Sequence, residues 1–115
     1  MVVDGLTDAE VDRVFQALAD STRRDILSHA IRQEQSVSTL AGRYAMSFAA
    51  VQKHVTVLER AQLVTKQRRG REQIVSANRP RLTQAAALID EFERIWVERV
   101  GRIDDILTAQ KGTPS

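Results

Sequence analysis

Apolar positions recur through the first 61 residues in four short blocks with helical spacing. Thr7–Glu10 reads T-x-x-E, a capping-box pattern, and Val11, Val14, Phe15 and Leu18 follow at steps of three and four. This first helix is expected to end near Ala19. Asp20 or Ser21 is placed to cap a second helix, TRRDILSHAIRQ, with Ile26, Leu27, Ala30 and Ile31 as its apolar face. Ser36 or Ser38 opens a short third helix, STLAGRYA, with Leu40, Ala41 and Tyr44 inward. Met46–Ser47 is a tight break. Ser47 then caps a fourth helix to about Ala61, whose inward residues are Ala50, Val51, Val55 and Leu58. Two short helices a few residues apart, the second capped by serine, predict a helix-turn-helix over 38–61.

The period then changes. Leu63–Gln67 and Gln73–Ala77 carry β-branched residues on either side of Arg68-Arg69-Gly70-Arg71, which predicts a short hairpin with a basic tip over 63–77. Asn78–Leu82 breaks the strand, and Pro80 suits the first turn of a helix. Over 82–108, Leu82, Ala85, Ile89, Phe92, Trp96, Ile103 and Ile106 alternate steps of three and four, with Arg99 as a polar interruption, while Leu88, Ile95 and Val100 widen the stripe. A helix of some 26 residues is about 39 Å long. That exceeds what so small a domain can cover, so its far end is expected to meet a second subunit. The predicted architecture is mostly α with a small β-hairpin wing. It is a winged helix-turn-helix with an appended dimerisation helix, one domain over 1–110 and a frayed tail at 111–115.

Composition narrows the chemistry. The 115 residues suit one domain, and 43% apolar residues with only 4% aromatic imply a core of Val, Leu, Ile and Ala. The chain has no cysteine, which excludes disulfides, thiolate metal sites and thiol nucleophiles. No apolar run approaches ~18 residues, so no membrane span is expected, and the acidic start shows no signal-peptide core. A cytoplasmic location is the expectation. Net charge is only +2, yet Arg60, Lys66, Arg68, Arg69, Arg71, Arg79 and Arg81 face a single acid, Glu72, within one stretch. That block suggests a surface for a polyanion; a solvated charged loop is the alternative.

The fourth helix has a second face. Ser47 and Ala49 are small enough for its N-terminus to approach another molecule closely, and that end favours phosphate. The major groove of DNA admits a helix; there Gln52 can pair with adenine, and Lys53 can reach guanine or phosphate. His54 and Thr56 are candidates for base or phosphate contact. Phe48 can touch a thymine methyl or fold back onto the domain. Arg68, Arg69 and Arg71 would straddle the backbone or enter a minor groove. Arg23 and Arg24 can touch phosphate, or pair with acids such as Asp20 or Glu59. About seven phosphate contacts per dimer would give a salt slope near −6.

The segments FQALADSTRRDIL (15–27), MSFAAVQKHVTVLERAQLV (46–64), RRGREQIVSA (68–77) and WVERVGRIDDIL (96–107) together resemble the ArsR-type bacterial transcriptional repressors. They match L-A-D-P-T-R-R-x-I-L, S-x-x-A-V-S-x-H-L-x-x-L-x-x-A-G-L-V, the family wing, and the C-terminal W-x-x-R-x-x-x-L-D-x-L of members without a thiolate site. The resemblance covers nearly the whole chain. It implies a homodimer joined through its terminal helices, with Val11, Phe15, Leu88, Phe92, Trp96 and Ile103 at the interface. It also implies double-stranded DNA carrying an inverted repeat as partner, and often autorepression. Ala49 stands where the family has proline, Gln52 where serine is common, and Gln62 where a glycine precedes the wing. These departures bear on base contact and not on the fold.

Asp90, Glu91, Glu93, Glu98, Asp104 and Asp105 offer carboxylates on the last helix but no histidine, a poor set for zinc. His29 and His54 lie on different helices without an evident catalytic partner, and His29 reads as a partly buried helix residue. No metal, cofactor or enzymatic activity is expected. Two rivals stay open. One is a sensor for an unidentified small-molecule effector, using a pocket near Phe15, Phe92 and Trp96; the plainer reading of those aromatics is dimer core. The other is a winged-helix module that binds protein or RNA. Micromolar zinc, nickel, cadmium or arsenite should leave a complex with DNA intact; release in a gel shift would show a metal site that these residues do not suggest.

Overall fold

The computed structural model describes residues 2–3 and 5–111; the expected tail at 112–115 lies outside them. A short antiparallel pair comes first, β1 (Val2–Val3) and β2 (Leu6–Thr7). Gly5 in its turn takes φ +83°, where glycine has no steric penalty. A Cβ there would stand 3.2 Å from Gln84 Nε2, so the turn lies close to the last helix. Helical periodicity does not predict this pair, because two-residue strands carry no alternation.

The expected capping box starts α1 (Asp8–Leu18). The Glu10 amide donates to Thr7 Oγ1 and the Thr7 amide to Glu10 Oε1, both at 3.2 Å. Asp20 caps α2 (Ser21–Arg32) by accepting from the Arg23 amide at 3.0 Å. Strand β3 (Gln35–Ser36) leads into α3 (Val37–Ala41), whose cap is Ser36. Helix α3 is shorter than STLAGRYA suggested: it ends at Gly42, and the turn to the next helix takes the rest. Tyr44 still packs against the core and donates to Asp25 Oδ2 at 2.6 Å. Burial, then that hydrogen bond, push its hydroxyl well above the ordinary tyrosine range. Ser47 caps α4 (Phe48–Arg60) by accepting from the Ala50 amide at 3.1 Å.

Strands β4 (Val64–Arg69) and β5 (Glu72–Ala77) form the expected hairpin. Its connection is two residues long, with positive φ at Gly70 and not at Arg71, the pattern of a II′ turn with glycine first. Strand β3 adds to the far side of β5, giving an antiparallel sheet of order β3-β5-β4. The dipeptide Gln35–Ser36 gave no strand signal. Helix α5 (Arg79–Lys111) starts three residues earlier than its stripe suggested and runs past 108 into the stretch expected to fray.

Val14, Ala17, Ile26, Leu27, Leu40, Val51, Val55, Leu58, Leu63 and Val75 build one aliphatic core where α1 to α4 meet the sheet. Ile31 was expected on the buried face of α2 and is instead 48% exposed. It turns toward a hollow beside β5, lined by Ser76 and Ala77, while Ala30 makes the core contact. Among the described residues no helix is long and apolar enough to cross a membrane.

The exit from α4 depends on an unusual residue. The Leu63 amide donates to Leu58 O at 3.0 Å and the Gln62 amide to Glu59 O at 2.9 Å, a Schellman closure. It requires a left-handed residue, and Gln62 takes φ 60° where glycine would be unstrained. Its side chain compensates. Gln62 Oε1 accepts from Arg81 Nη2 at 2.7 Å, and Glu10 Oε2 accepts from the same nitrogen at 2.9 Å. Arg81 belongs to the basic block of the sequence, but it is only 6% exposed and lies in the interior: the first turn of α5 carries it under the end of α4. Its Nη1 is buried without a partner. The Arg81 hydrogen bond, then those from Thr7, hold the Glu10 carboxyl below the usual glutamate range.

Replacing Arg81 with alanine should lower stability at neutral pH by roughly 2–4 kcal/mol, since a buried guanidinium and its charge-assisted bonds are lost. A depressed carboxyl stabilises above its unfolded pKa, and the gain disappears as pH falls through its folded value. The gap between wild type and Arg81→Ala in urea unfolding should therefore narrow from pH 7 toward about pH 3.

Candidate nucleic-acid interface

The apolar side of α4 is held by Val51, Val55 and Leu58, all with no exposed surface. A second anchor comes from α2. Arg23 Nε and Nη2 donate to Ala17 O and Gln16 O at 2.8 and 3.0 Å, and Arg24 Nη1 donates to Leu18 O at 2.7 Å. Both arginines thus close the open carbonyls at the end of α1, and Arg23 also lies in the field of Asp20, one of the acids expected as its partner. Arg23 Nη1 also lies 3.3 Å from His54 Nδ1, with Asp20 Oδ1 at 4.0 Å from the same nitrogen. The His54 ring is therefore engaged by α2, apart from the outward face of its helix. His29 lies 3.4 Å from Asp25, so each histidine has an aspartate neighbour that the sequence did not reveal.

With one side and both ends fixed, the rest of α4 faces out. Ala49, Gln52 and Lys53 are exposed, Phe48 is 48% exposed, and Thr56 is half-buried. Ser47 Oγ is occupied by capping, and Thr56 Oγ1 donates to Gln52 O at 2.9 Å. Ala49, Gln52, Lys53, Thr56, Val57 and Arg60 line a shallow hollow of about 470 Å³ along this face.

The wing arginines differ from one another. Arg69 forms a bidentate pair with Glu34, its two nitrogens at 2.5 and 3.3 Å from the carboxylate oxygens. That hydrogen bond raises the Arg69 pKa and lowers the Glu34 pKa. Arg68 Nε donates to Gly70 O at 3.2 Å, which ties it to the turn, while Arg71 extends exposed from the tip. Lys66 stands 3.8 Å from Glu59. Glu34 was not singled out by sequence, because it reaches Arg69 across 35 positions and no local pattern marks it.

The fold recurs in known proteins. The ArsR-like transcriptional regulator from Rhodococcus sp. RHA1 superposes with TM-score 0.73 at 36% identity, over 85% of this chain and 92% of that one. The chain belongs to the ArsR family of transcriptional regulators. A second ArsR family structure reaches TM-score 0.74 at 28% identity, over 84% and 96% of the two chains. The HTH-type transcriptional regulator Rv2034 of Mycobacterium tuberculosis is 35% identical over 85 residues, 74% of this chain and 77% of that protein. A homodimeric winged helix-turn-helix DNA-binding domain from Mycobacterium bovis shares the fold, with TM-score 0.62 at 23% identity over 77% and 89% of the chains. No protein-family model matches the chain.

The residues that the ArsR resemblance placed at a dimer interface fall into two groups. Phe15, Phe92, Trp96 and Ile103 are exposed, and Val11 is half-buried. Leu88 is 5% exposed, so it is covered within its own chain. Among the described residues, no three His, Asp or Glu side chains gather as metal ligands would.

Arg71→Ala should flatten the salt dependence of DNA binding by about two units per dimer, one phosphate in each subunit. Glu34→Gln should act in the opposite direction, releasing Arg69 and removing a negative charge beside the wing. Fluorescence anisotropy of both variants across a salt series checks the pair.

Proposed function

We propose that the protein is a homodimeric repressor that binds double-stranded DNA at an inverted repeat, acting by binding and not by catalysis. The observation that carries this reading is the solvent-facing side of α4. The helix is capped at both ends and packed along one side, yet Ala49, Gln52 and Lys53 remain exposed. Such a helix fits a major groove about 12 Å wide. Gln52 and Lys53 would read base edges, and Phe48 would lie against a thymine methyl. Arg68 and Arg71 on the wing would hold backbone phosphate and set the register.

Helix α5 supports the dimer. Every side chain from 92 to 108 is exposed, including Phe92, Ile95, Trp96, Val97, Val100, Ile103 and Ile106. An apolar stripe of that length is not left in water by a monomer. The three-four spacing suits packing against a second helix of the same kind. On the opposite side, Arg94 pairs with Glu91 and Glu98, as expected of a solvated ridge. A two-fold dimer would set two α4 helices on successive faces of the duplex, matching half-sites one helical turn or a multiple apart. The name of the Mycobacterium bovis domain, homodimeric and DNA-binding, agrees.

Selection of bound fragments from random DNA should yield a two-fold symmetric site. Gln52→Ala should relax preference at one base position in each half-site, at a cost of about 1–3 kcal/mol, and leave binding to unrelated sequence unchanged. A protein that sediments as a monomer at micromolar concentration, or that ignores duplex DNA in moderate salt, would refute the proposal.

A further inference from the structure

The outward face of α4 continues beyond the residues that would read bases. Gln52, Thr56 and Arg60 follow at steps of four, so Arg60 stands on the same face at the helix end. Next to the hollow along Gln52 and Lys53 lies another of about 250 Å³, lined by Arg13, Gln16, Val57 and Arg60. Val57 and Arg60 border both, so the two form one trough from the N-terminus of α4 to the flank of α1. Lys53, Arg60 and Arg13 line it, and among the described residues no carboxylate does.

Several other cations of the domain are held within the fold. Arg23 and Arg24 are bound to carbonyls, Arg81 to Glu10 and Gln62, Arg69 to Glu34, and Lys66 to Glu59. Arg13, Lys53 and Arg60 are exposed and have no hydrogen bond or ion pair among the described residues. Distance assigns the role of Arg60. Arg60 lies about 16 Å along the helix axis from Ala49, and the groove is about 12 Å wide. With the first turns of α4 between the groove walls, Arg60 is beyond the wall, where the polyanion presents phosphate and no base edges.

We infer that Arg13 of α1 and Arg60 of α4 form a second phosphate-binding surface, separate from the wing, that grips the sugar-phosphate backbone beside the groove entered by α4. The inference rests on the proposed DNA-binding reading and adds to it two cations that α1 and α4 bring to one hollow. The surface is indifferent to sequence, and it places α1 in contact with the nucleic acid.

The test uses the full chain and a random-sequence duplex, so no operator is required. Binding is measured from about 50 to 300 mM salt for wild type, the double variant Arg13→Gln/Arg60→Gln and the charge-retaining Arg13→Lys/Arg60→Lys. Sedimentation and thermal melting are recorded for each. Four phosphates per dimer predict that the glutamine pair flattens the salt slope by about three to four units and weakens binding at least about tenfold near 100 mM salt. The lysine pair should keep most of both, with dimerisation and melting unchanged throughout. A slope equal to wild type in the glutamine pair overturns the inference while DNA binding itself stands. So does a lysine pair as weak as the glutamine pair, or a glutamine pair that has lost its dimer or its melting temperature. Wild type that binds no duplex removes the proposed function and this surface together.

Discussion

The guanidinium of Arg81 joins three parts of the chain that must agree for α4 to be presented at all. Its Nη2 binds Glu10 at the start of α1 and Gln62 at the exit from α4, and its backbone is the first turn of α5. Helix termini have unsatisfied carbonyls and a chain that can leave in several directions. Here the exit is fixed by a left-handed residue that is not glycine, and the backbone cost of about 1–2 kcal/mol is offset by a charge-assisted bond from a buried arginine. The β1–β2 pair adjoins the same junction. It leads directly into the capping box that orients Glu10.

Three arginines join elements of this molecule at helix ends. Arg23 and Arg24 close α1, Arg23 also meets the ring of His54, and Arg81 closes α4. Arg23 and Arg24 cap carbonyls directly, whereas Arg81 braces the left-handed Gln62 of a backbone closure. The planar fork with five donors suits this use, since one side chain can satisfy two carbonyls and still reach a third group. Counting positive charge along the chain therefore overstates the surface available to a polyanion. Net charge of +2 conceals cations spent inside the fold and others left free on one side of α4 and at the wing tip.

The helices, their caps and the hairpin were legible in the sequence because each has a local signature. Thr7, Asp20 and Ser47 sit at their caps as read, and the stripe of Val51, Val55 and Leu58 is buried as its spacing implied. The parts that were not legible depend on partners far away in the chain. Strand β3 exists because β5 offers it an edge, and Gln35–Ser36 has no strand character of its own. His54 looked like an outward residue until Arg23, 31 positions away, was placed beside it. Arg81 and Arg69 looked alike in a basic run, yet one is buried and the other is paired with Glu34. In the candidate interface, periodicity identified which face of α4 is open, and only the fold showed how far that face extends.

The distal half of α5 bears on quantity as well as on assembly. Its side chains from 92 to 108 make no buried contact within the chain, so packing in its own domain does little to favour that helix. If two copies supply that packing for each other, ordering and pairing become a single equilibrium. The DNA-competent species would then rise with the square of chain abundance at low levels. A promoter under its control would respond to small changes in expression more sharply than one occupied by a monomer.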